Sequence, residues 1–255
     1  MIRRLTIVGM LVLAGLGGLG LWLWSSARSS TEVTAEAALA DFRERVGVAG
    51  TPGPGVPRPG VYTYLQKGEE RVAIGPVSLT RDLPDRAVYV AALVPGGFQE
   101  DLRLSEEHVE SVRFRPGSGG ALRAIWRRTE VSVLGVGRDD TRDLRPPPLF
   151  LPAPATLRVG RTWSNDYSAG DVRVRSDHRV VSRGSIRVGS RKEPVFVVRV
   201  AAEVTGANSG TRVDLLWWSP RLSLPLRWKI DMNVGGFAEI RTDTDLRLSG
   251  LTPAR

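Results

Sequence analysis

Apolar and charged side chains alternate with a period of two over most of the chain beyond residue 60. The runs "DVRVRSDHRV" at 171–180, "PLRWKIDM" at 225–232 and "AEIRTDTDLRLS" at 238–249 show it most clearly. Such an alternation, with one dry face and one wet face, is typical of an antiparallel sheet that is exposed on one side. Further strands are expected near 62–66, 70–74, 86–94, 98–104, 108–115, 122–134 and 194–204. We therefore predict a mainly β domain, either all-β or α+β.

Composition narrows the classes of function. The 255 residues are 42% apolar, which is enough for one sizeable core or two small ones. Cysteine is absent, which excludes disulfides, thiolate metal sites, a Cys nucleophile and a lipid-modified cysteine. The net charge is +9, but acidic residues are interleaved with the basic ones, so we expect no nucleic-acid partner. The basic excess reflects genome composition or attraction to anionic envelope polymers and lipids.

The first residues have the pattern of a membrane anchor. Arg3 and Arg4 precede an uncharged run of 20 residues, 5–24, that ends with two tryptophans. A helix of this length spans about 30 Å, the thickness of a bilayer core. We predict a cytoplasmic stub and transmembrane helix at 1–24, a cell-membrane location, and an extracytoplasmic C-terminal part. The alternative is a signal peptide that is cleaved near 25–27.

A short helix and a linker are predicted between the anchor and the β domain, over residues 25–60. Thr34 is a candidate N-cap, and apolar residues recur at helical spacing from 35 to 46. This amphipathic helix either packs on the domain or lies on the membrane. The Pro/Gly-rich stretch 47–60 predicts a stiff spacer that holds the domain, residues 61–255, about 40 Å from its anchor.

A proline-rich stretch interrupts the alternation near the middle of the β region. Residues 145–160, "RPPPLFLPAPATLRVG", contain five prolines. They either join two parts of one curved sheet or separate two small domains. We favour one domain because no clear repeat relates the two halves.

The tryptophans of the C-terminal region are candidates for a core or for a ligand site. Alternation from residue 211 to 218 places Val213, Leu215 and Trp217 on one face, and leaves Trp218 beside the turn at Pro220. We interpret Trp217 and Trp228 as inward residues of a curved sheet. Ligand stacking is the alternative to core packing. The predicted ligand-binding residues are Trp163, Trp217, Leu226, Trp228 and Ile230.

Residues 155–250 resemble a C-terminal module of bacterial envelope proteins of unknown function. In that module a Gly-x-x-Trp is followed by strand pairs, a Trp-Ser-Pro and a Leu-Pro-x-Arg. The matching positions here are Gly160, Trp163, Gly206, Gly210, Trp218, Ser219, Pro220, Leu224, Pro225 and Arg227, while Ser223 replaces the usual Gly. More loosely, residues 61–255 are similar to the half-barrel sheets of bacterial lipoprotein carriers. This similarity implies a half-barrel or open barrel whose apolar concave face holds acyl chains.

Catalytic and metal-binding patterns are weak. His178 falls on the apolar face of its strand, where we expect a hydrogen-bonded core imidazole. His108 lies among glutamates in "SEEHVE" and is interpreted as part of a surface ion-pair cluster, with a weak cation site as the alternative. The acidic pair at 139–140 is placed in a solvated loop. We find no nucleophile elbow and no phosphate-binding glycine loop, and therefore predict no catalytic residue, no metal and no cofactor.

The sequence thus predicts a membrane-anchored extracytoplasmic binding protein rather than an enzyme. Its proposed ligand is a lipid or another apolar envelope component held on the concave sheet. The first alternative is an interaction module of an envelope complex, which binds a protein partner and no small ligand. The second is an envelope hydrolase that uses His108.

Overall fold

The computed structural model describes residues 30–45, 53–74, 77–133, 136–236 and 238–255. These residues form one helix, α1 (Ala35–Arg45), two short 3-10 turns and fourteen strands. The strands are β1 (Gly60–Ile74), β2 (Val77–Asp82), β3 (Arg86–Val94), β4 (Gly97–Ser105), β5 (His108–Pro116), β6 (Leu122–Val133), β7 (Val136–Arg145), β8 (Leu149–Leu151), β9 (Thr162–Ala169), β10 (Val172–Val188), β11 (Arg191–Gly206), β12 (Ser209–Ser219), β13 (Leu224–Gly235) and β14 (Glu239–Leu248). The prediction of a mainly β fold is confirmed.

Twelve of these strands form a closed antiparallel ring. Their order is β1-β3-β4-β5-β6-β7-β9-β10-β11-β12-β13-β14, and β14 pairs again with β1. The predicted half-barrel or open barrel is therefore wrong. The length of β1 explains the closure: its first half pairs with β3, and from Tyr64 onward it pairs with β14. Closure removes the sheet edges, which would otherwise expose unpaired backbone groups.

The helix α1 covers the outer face of the ring at β1 and β3. Thr34 caps it, since its hydroxyl accepts a hydrogen bond from the Ala37 amide. Phe42 packs with Val88 and Val90, which point away from the interior. Residues 30–45 thus pack on the barrel, which is one of the two positions predicted for the helix. The predicted spacer 47–60 lies partly outside the described residues, as does the anchor from which it would separate the domain. The described end of that stretch, residues 53–59, turns back and packs near Gly120.

The proline-rich segment 145–160 connects two neighbouring strands of the same ring. β7 and β9 share only two residue pairs, Leu144 with Ala169 and Arg145 with Ser168. Below these pairs, β8 fills the space, and Asn165 of β9 hydrogen-bonds both backbone groups of Leu149. The ring is therefore closed here by side chains as much as by backbone pairing.

The faces of β12 are the reverse of the prediction. Leu216 and Trp218 point inward and are buried, while Trp217 lies on the outer face under the Arg227 guanidinium, 4.6 Å from its ring centroid. Arg212 and Asp214 share the inward face. The prediction placed charged residues outside, but Asp214 is buried and Arg212 half-buried on the inner face, where they pair with each other and with Glu110.

Candidate functional site

The barrel interior contains a partly open cavity of about 250 Å³. Its wall is mostly apolar, and eight of its apolar side chains come from seven strands. These are Phe114, Leu144, Phe150, Val174, Val200, Leu216, Trp228 and Met232. Asn208, Gly235 and Ala238 also line it, so the cavity extends to the ring end that carries the β11–β12 and β13–β14 turns. A mostly apolar concave space with a few polar groups is the usual form of a small-molecule site.

A salt bridge crosses the interior from one wall to the opposite wall. Arg212 of β12 donates to both carboxylate oxygens of Glu110 of β5, each at 2.8 Å. These strands are six positions apart in either direction around the ring of twelve. Arg212 also binds Asp214, and Asp214 accepts a hydrogen bond from Trp228 Nε1 at 2.8 Å.

The chain of charges continues beyond Glu110 through a fully buried histidine. His108 Nδ1 binds Glu70, and its Nε2 lies 3.6 Å from Glu110. Glu70 in turn binds Arg81 and accepts a hydrogen bond from Thr242. We call the whole set the interior charge chain: Arg81, Glu70, His108, Glu110, Arg212 and Asp214.

Opposite charges in the interior charge chain keep Glu70, His108 and Glu110 ionised in spite of burial. Burial by itself would lower the pKa of His108, but the carboxylates of Glu70 and Glu110 raise it to about 9. Burial would likewise raise the pKa of Glu70, but His108 and Arg81 lower it to about 2. Arg212 and His108 hold the pKa of Glu110 well below its usual range. At neutral pH the protonated His108 therefore lies between two ionised carboxylates, those of Glu70 and Glu110.

Glu100 differs from these carboxylates, because no basic side chain of the described residues contacts it directly. It lines the cavity and accepts a hydrogen bond from the Tyr89 hydroxyl at 2.5 Å. Burial raises the pKa of Glu100 to about 8, although the Tyr89 hydrogen bond opposes the shift. The carboxyl group is therefore mostly protonated at neutral pH and adds no negative charge to the cavity.

The structure places the five predicted ligand-binding residues in different environments. Trp228 lines the cavity, whereas Leu226 and Ile230 are buried in the core beside it. Trp163 stacks on His178 with ring centroids 4.9 Å apart and donates to the Leu149 carbonyl. Trp217 lies on the outer face. Only Trp228 among them contributes to the cavity wall.

The two histidines differ in how well the sequence predicted them. His178 is buried as predicted, and its Nε2 lies within hydrogen-bond distance of Asn165 and Ser176. Burial lowers its pKa to about 4, so the ring is neutral. His108 was placed in a surface cluster, and this is wrong: its side chain is 0% exposed. Its true partner Glu70 lies 38 residues away in the chain, and no local pattern indicates such a partner.

Two further expectations concern the acidic pair and the anchor. Asp139 and Asp140 lie on β7 and pair with Arg128 and Arg142, rather than in a solvated loop. Within the described ranges, no group of three or more His, Asp or Glu side chains is arranged to hold a metal. No helix in this described part of the chain is long and apolar enough to cross a bilayer. The predicted anchor at 5–24 lies outside it.

Comparisons with known proteins add little to the geometry. No protein-family model matches the chain, and no curated protein matches it. Among solved structures, it is similar to the hypothetical lipoprotein YmcC from Escherichia coli (K12), with 8% sequence identity and a TM-score of 0.33. The match covers 89% of this chain and 99% of that chain. A likeness at this level carries no argument about function or location.

Proposed function

We propose that the protein is an extracytoplasmic binding protein that holds one apolar small molecule inside its barrel. The observation that carries this proposal is the cavity of about 250 Å³ among Phe150, Leu216 and Trp228. Protein interiors are normally packed without voids of this size, because each void lowers stability. For scale, an engineered apolar cavity of about 150 Å³ binds benzene.

The interior charge chain supports the same proposal. Arg212 and Glu110 join opposite walls of the barrel, so the side chains cannot collapse into the remaining space without breaking a buried ion pair. The cavity is therefore held open by the fold in the absence of a ligand. A preformed apolar site binds with a small ordering cost.

The proposed location rests on the sequence. Residues 5–24 have the length and flanking charges of a membrane anchor, with the barrel on the outer side. In this arrangement the ligand is a lipid or another apolar component of the cell envelope. We propose no catalytic role.

Mass spectrometry of bound molecules tests the proposal. The full chain is purified in lipid nanodiscs beside the variant Val200→Phe, which fills the cavity from β11, and both are extracted with organic solvent. We expect one apolar species at up to one molecule per wild-type chain that is lost from Val200→Phe. Nanodisc lipids appear equally in both samples.

A matched control is Val181→Phe, since Val181 is 38% exposed and does not line the cavity. This variant should retain the bound species. Identical extracts from wild type and Val200→Phe would contradict the proposal and favour the interaction module instead.

A further inference from the structure

Arg127 is a cation on the cavity wall that makes no direct ion pair with the described residues, although its charge contributes to lowering the pKa of the Glu110 carboxyl. It lies on β6, is half-buried, and donates one hydrogen bond to the Thr129 hydroxyl at 2.9 Å. It forms no ion pair within 4.0 Å with any residue of the described ranges. The other arginines of the wall are paired: Arg128 with Asp139, Arg142 with Asp140, and Arg212 with Glu110 and Asp214.

A second polar group lines the same cavity. The Tyr167 side chain reaches it from β9, and its hydroxyl makes no hydrogen bond with the residues that the structure describes. Burial raises the pKa of Tyr167, and the charges of Arg127 and Arg212 oppose that shift. The phenol therefore remains a neutral hydrogen-bond donor, within the electrostatic reach of Arg127.

We propose that the ligand is a single-chain amphiphile with an anionic head, a carboxylate or a phosphate, and that Arg127 binds this head. The inference rests on the proposed function and specifies its ligand class. The guanidinium presents a planar fork of donors that fits either anion. The chain lies along Phe150, Leu216 and Trp228. The volume suits one chain and is too small for a diacyl lipid.

The charge balance of the wall discriminates between head groups. A neutral ligand that displaces water from Arg127 leaves a cation poorly solvated and unpaired, which costs free energy. An anionic head replaces the lost water with a charge-assisted hydrogen bond. A cationic head is repelled by the same side chain. The preference is therefore anion over alcohol over ammonium.

Binding of four ten-carbon probes tests the inference: decanoate, decyl phosphate, decanol and decyltrimethylammonium. The full chain in nanodiscs is titrated with each, and binding is followed by the stabilisation against urea, with empty nanodiscs used to correct the free probe concentration. We expect wild type to bind at least one anion about 10-fold more tightly than decanol. Which of the two anions binds better separates a carboxylate from a phosphate ligand.

Variants of Arg127 show whether the preference comes from this side chain. Arg127→Gln should abolish the preference for the anions over decanol. Anion binding weakens, and decanol binding stays equal or becomes slightly tighter, because no guanidinium has to be desolvated by the neutral ligand. Arg127→Lys keeps the charge and should retain part of the preference, which separates loss of charge from misfolding. Arg199→Gln is the matched control, since Arg199 is an exposed arginine on the outer face of β11.

Each contrary result has a distinct meaning. Equal binding of decanoate, decyl phosphate and decanol by wild type overturns the anionic head and leaves the apolar site standing. An anion preference that survives Arg127→Gln overturns the role of Arg127. No binding of any probe overturns the proposed function, and this inference with it.

Discussion

Glu100 makes the stability of the barrel fall as the pH rises from 4.5 towards 8. Its folded-state pKa of about 8 lies above its ordinary value of 4.5. Its contribution to stability is therefore fully present below 4.5 and is lost as the pH rises towards 8, by about 1.4 kcal/mol per pH unit. Glu100→Gln keeps an acceptor for Tyr89 and removes the titration. Urea unfolding across this window should show a smaller loss of stability in the variant than in wild type.

The exposed Glu203→Gln on β11 is the control for this prediction and should follow the wild-type curve. A residual decline in Glu100→Gln is expected from His108, whose pKa is raised to about 9 and whose contribution is lost between 6.5 and that value. Parallel curves for wild type and Glu100→Gln would show that Glu100 is ionised in the folded protein.

Arg212 is the residue on which the cross-barrel salt bridge depends. Arg212→Met leaves Glu110 and Asp214 buried without their shared cation, and we expect a loss of about 3–5 kcal/mol. Adding Glu110→Gln removes one uncompensated charge, so the double variant should lose less than the sum of the single losses. A double-mutant cycle by urea unfolding measures the coupling. Additive losses would show that Arg212 and Glu110 do not interact. The control is Arg173→Met, which removes the exposed ion pair with Asp166 and should change the free energy of unfolding little.

These interior charges also mark the limit of prediction at the residue scale. The sequence shows that Arg212 and Asp214 share one face of their strand, but not that this face is the inner one. Their partners Glu110 and Trp228 come from other strands, and Glu110 lies 102 residues away in the chain. Charged side chains are rarely buried unless paired, and the pairing exists only after the ring has closed. The residues of the cavity wall, including Arg127, cannot be predicted from the sequence for the same reason.

At the scale of elements, the turn between β12 and β13 contains a strained position. Ser223 has φ of 54°, in the left-handed region that favours glycine, and its amide donates to the Ser219 carbonyl at 2.9 Å. Ser223→Gly should raise the free energy of unfolding by about 0.5–1 kcal/mol, because the relief of strain exceeds the entropy cost of glycine. Urea unfolding measures the gain. Ser223→Ala is the control: a similar gain there would attribute the effect to loss of the hydroxyl rather than to the backbone.

The same scale shows what alternation predicts well. The predicted runs at 171–180, 225–232 and 238–249 lie on β10, β13 and β14, because inward and outward side chains alternate over these residues. β10 continues to Val188 beyond a register shift at 180–182, and there residues 181–185 are all exposed. Closure was not predictable, since each strand alternates in the same way in an open sheet and in a ring. The pair that closes the ring, Tyr64 with Leu248, joins the first and last strands of the barrel, and no local sequence pattern predicts it.

For the whole molecule, the contact between β7 and β9 is the weakest point of the ring. These strands share two residue pairs, whereas the next shortest contact in the ring, between β1 and β3, has six. Opening of the barrel should therefore begin here, beside the cavity wall formed by Leu144 and Tyr167. Amide hydrogen exchange in the second half of β7 should be faster than in the paired parts of β10 and β11.

A disulfide across this contact tests the order of opening, and the absence of native cysteine makes the test clean. Arg145→Cys with Ser168→Cys joins directly paired positions, and the oxidised form should slow exchange in β7 and β9 relative to the reduced form. The control is Arg179→Cys with Arg199→Cys on the fully paired β10–β11 ladder, which should leave exchange in β7 unchanged. Were β7 to exchange as slowly as β11 before oxidation, opening would have to start elsewhere. If the disulfide does slow exchange in β7, separation of β7 from β9 is the opening motion at this contact. The short backbone pairing between these strands, and not the β8 side chains, then limits access to the cavity through the barrel wall.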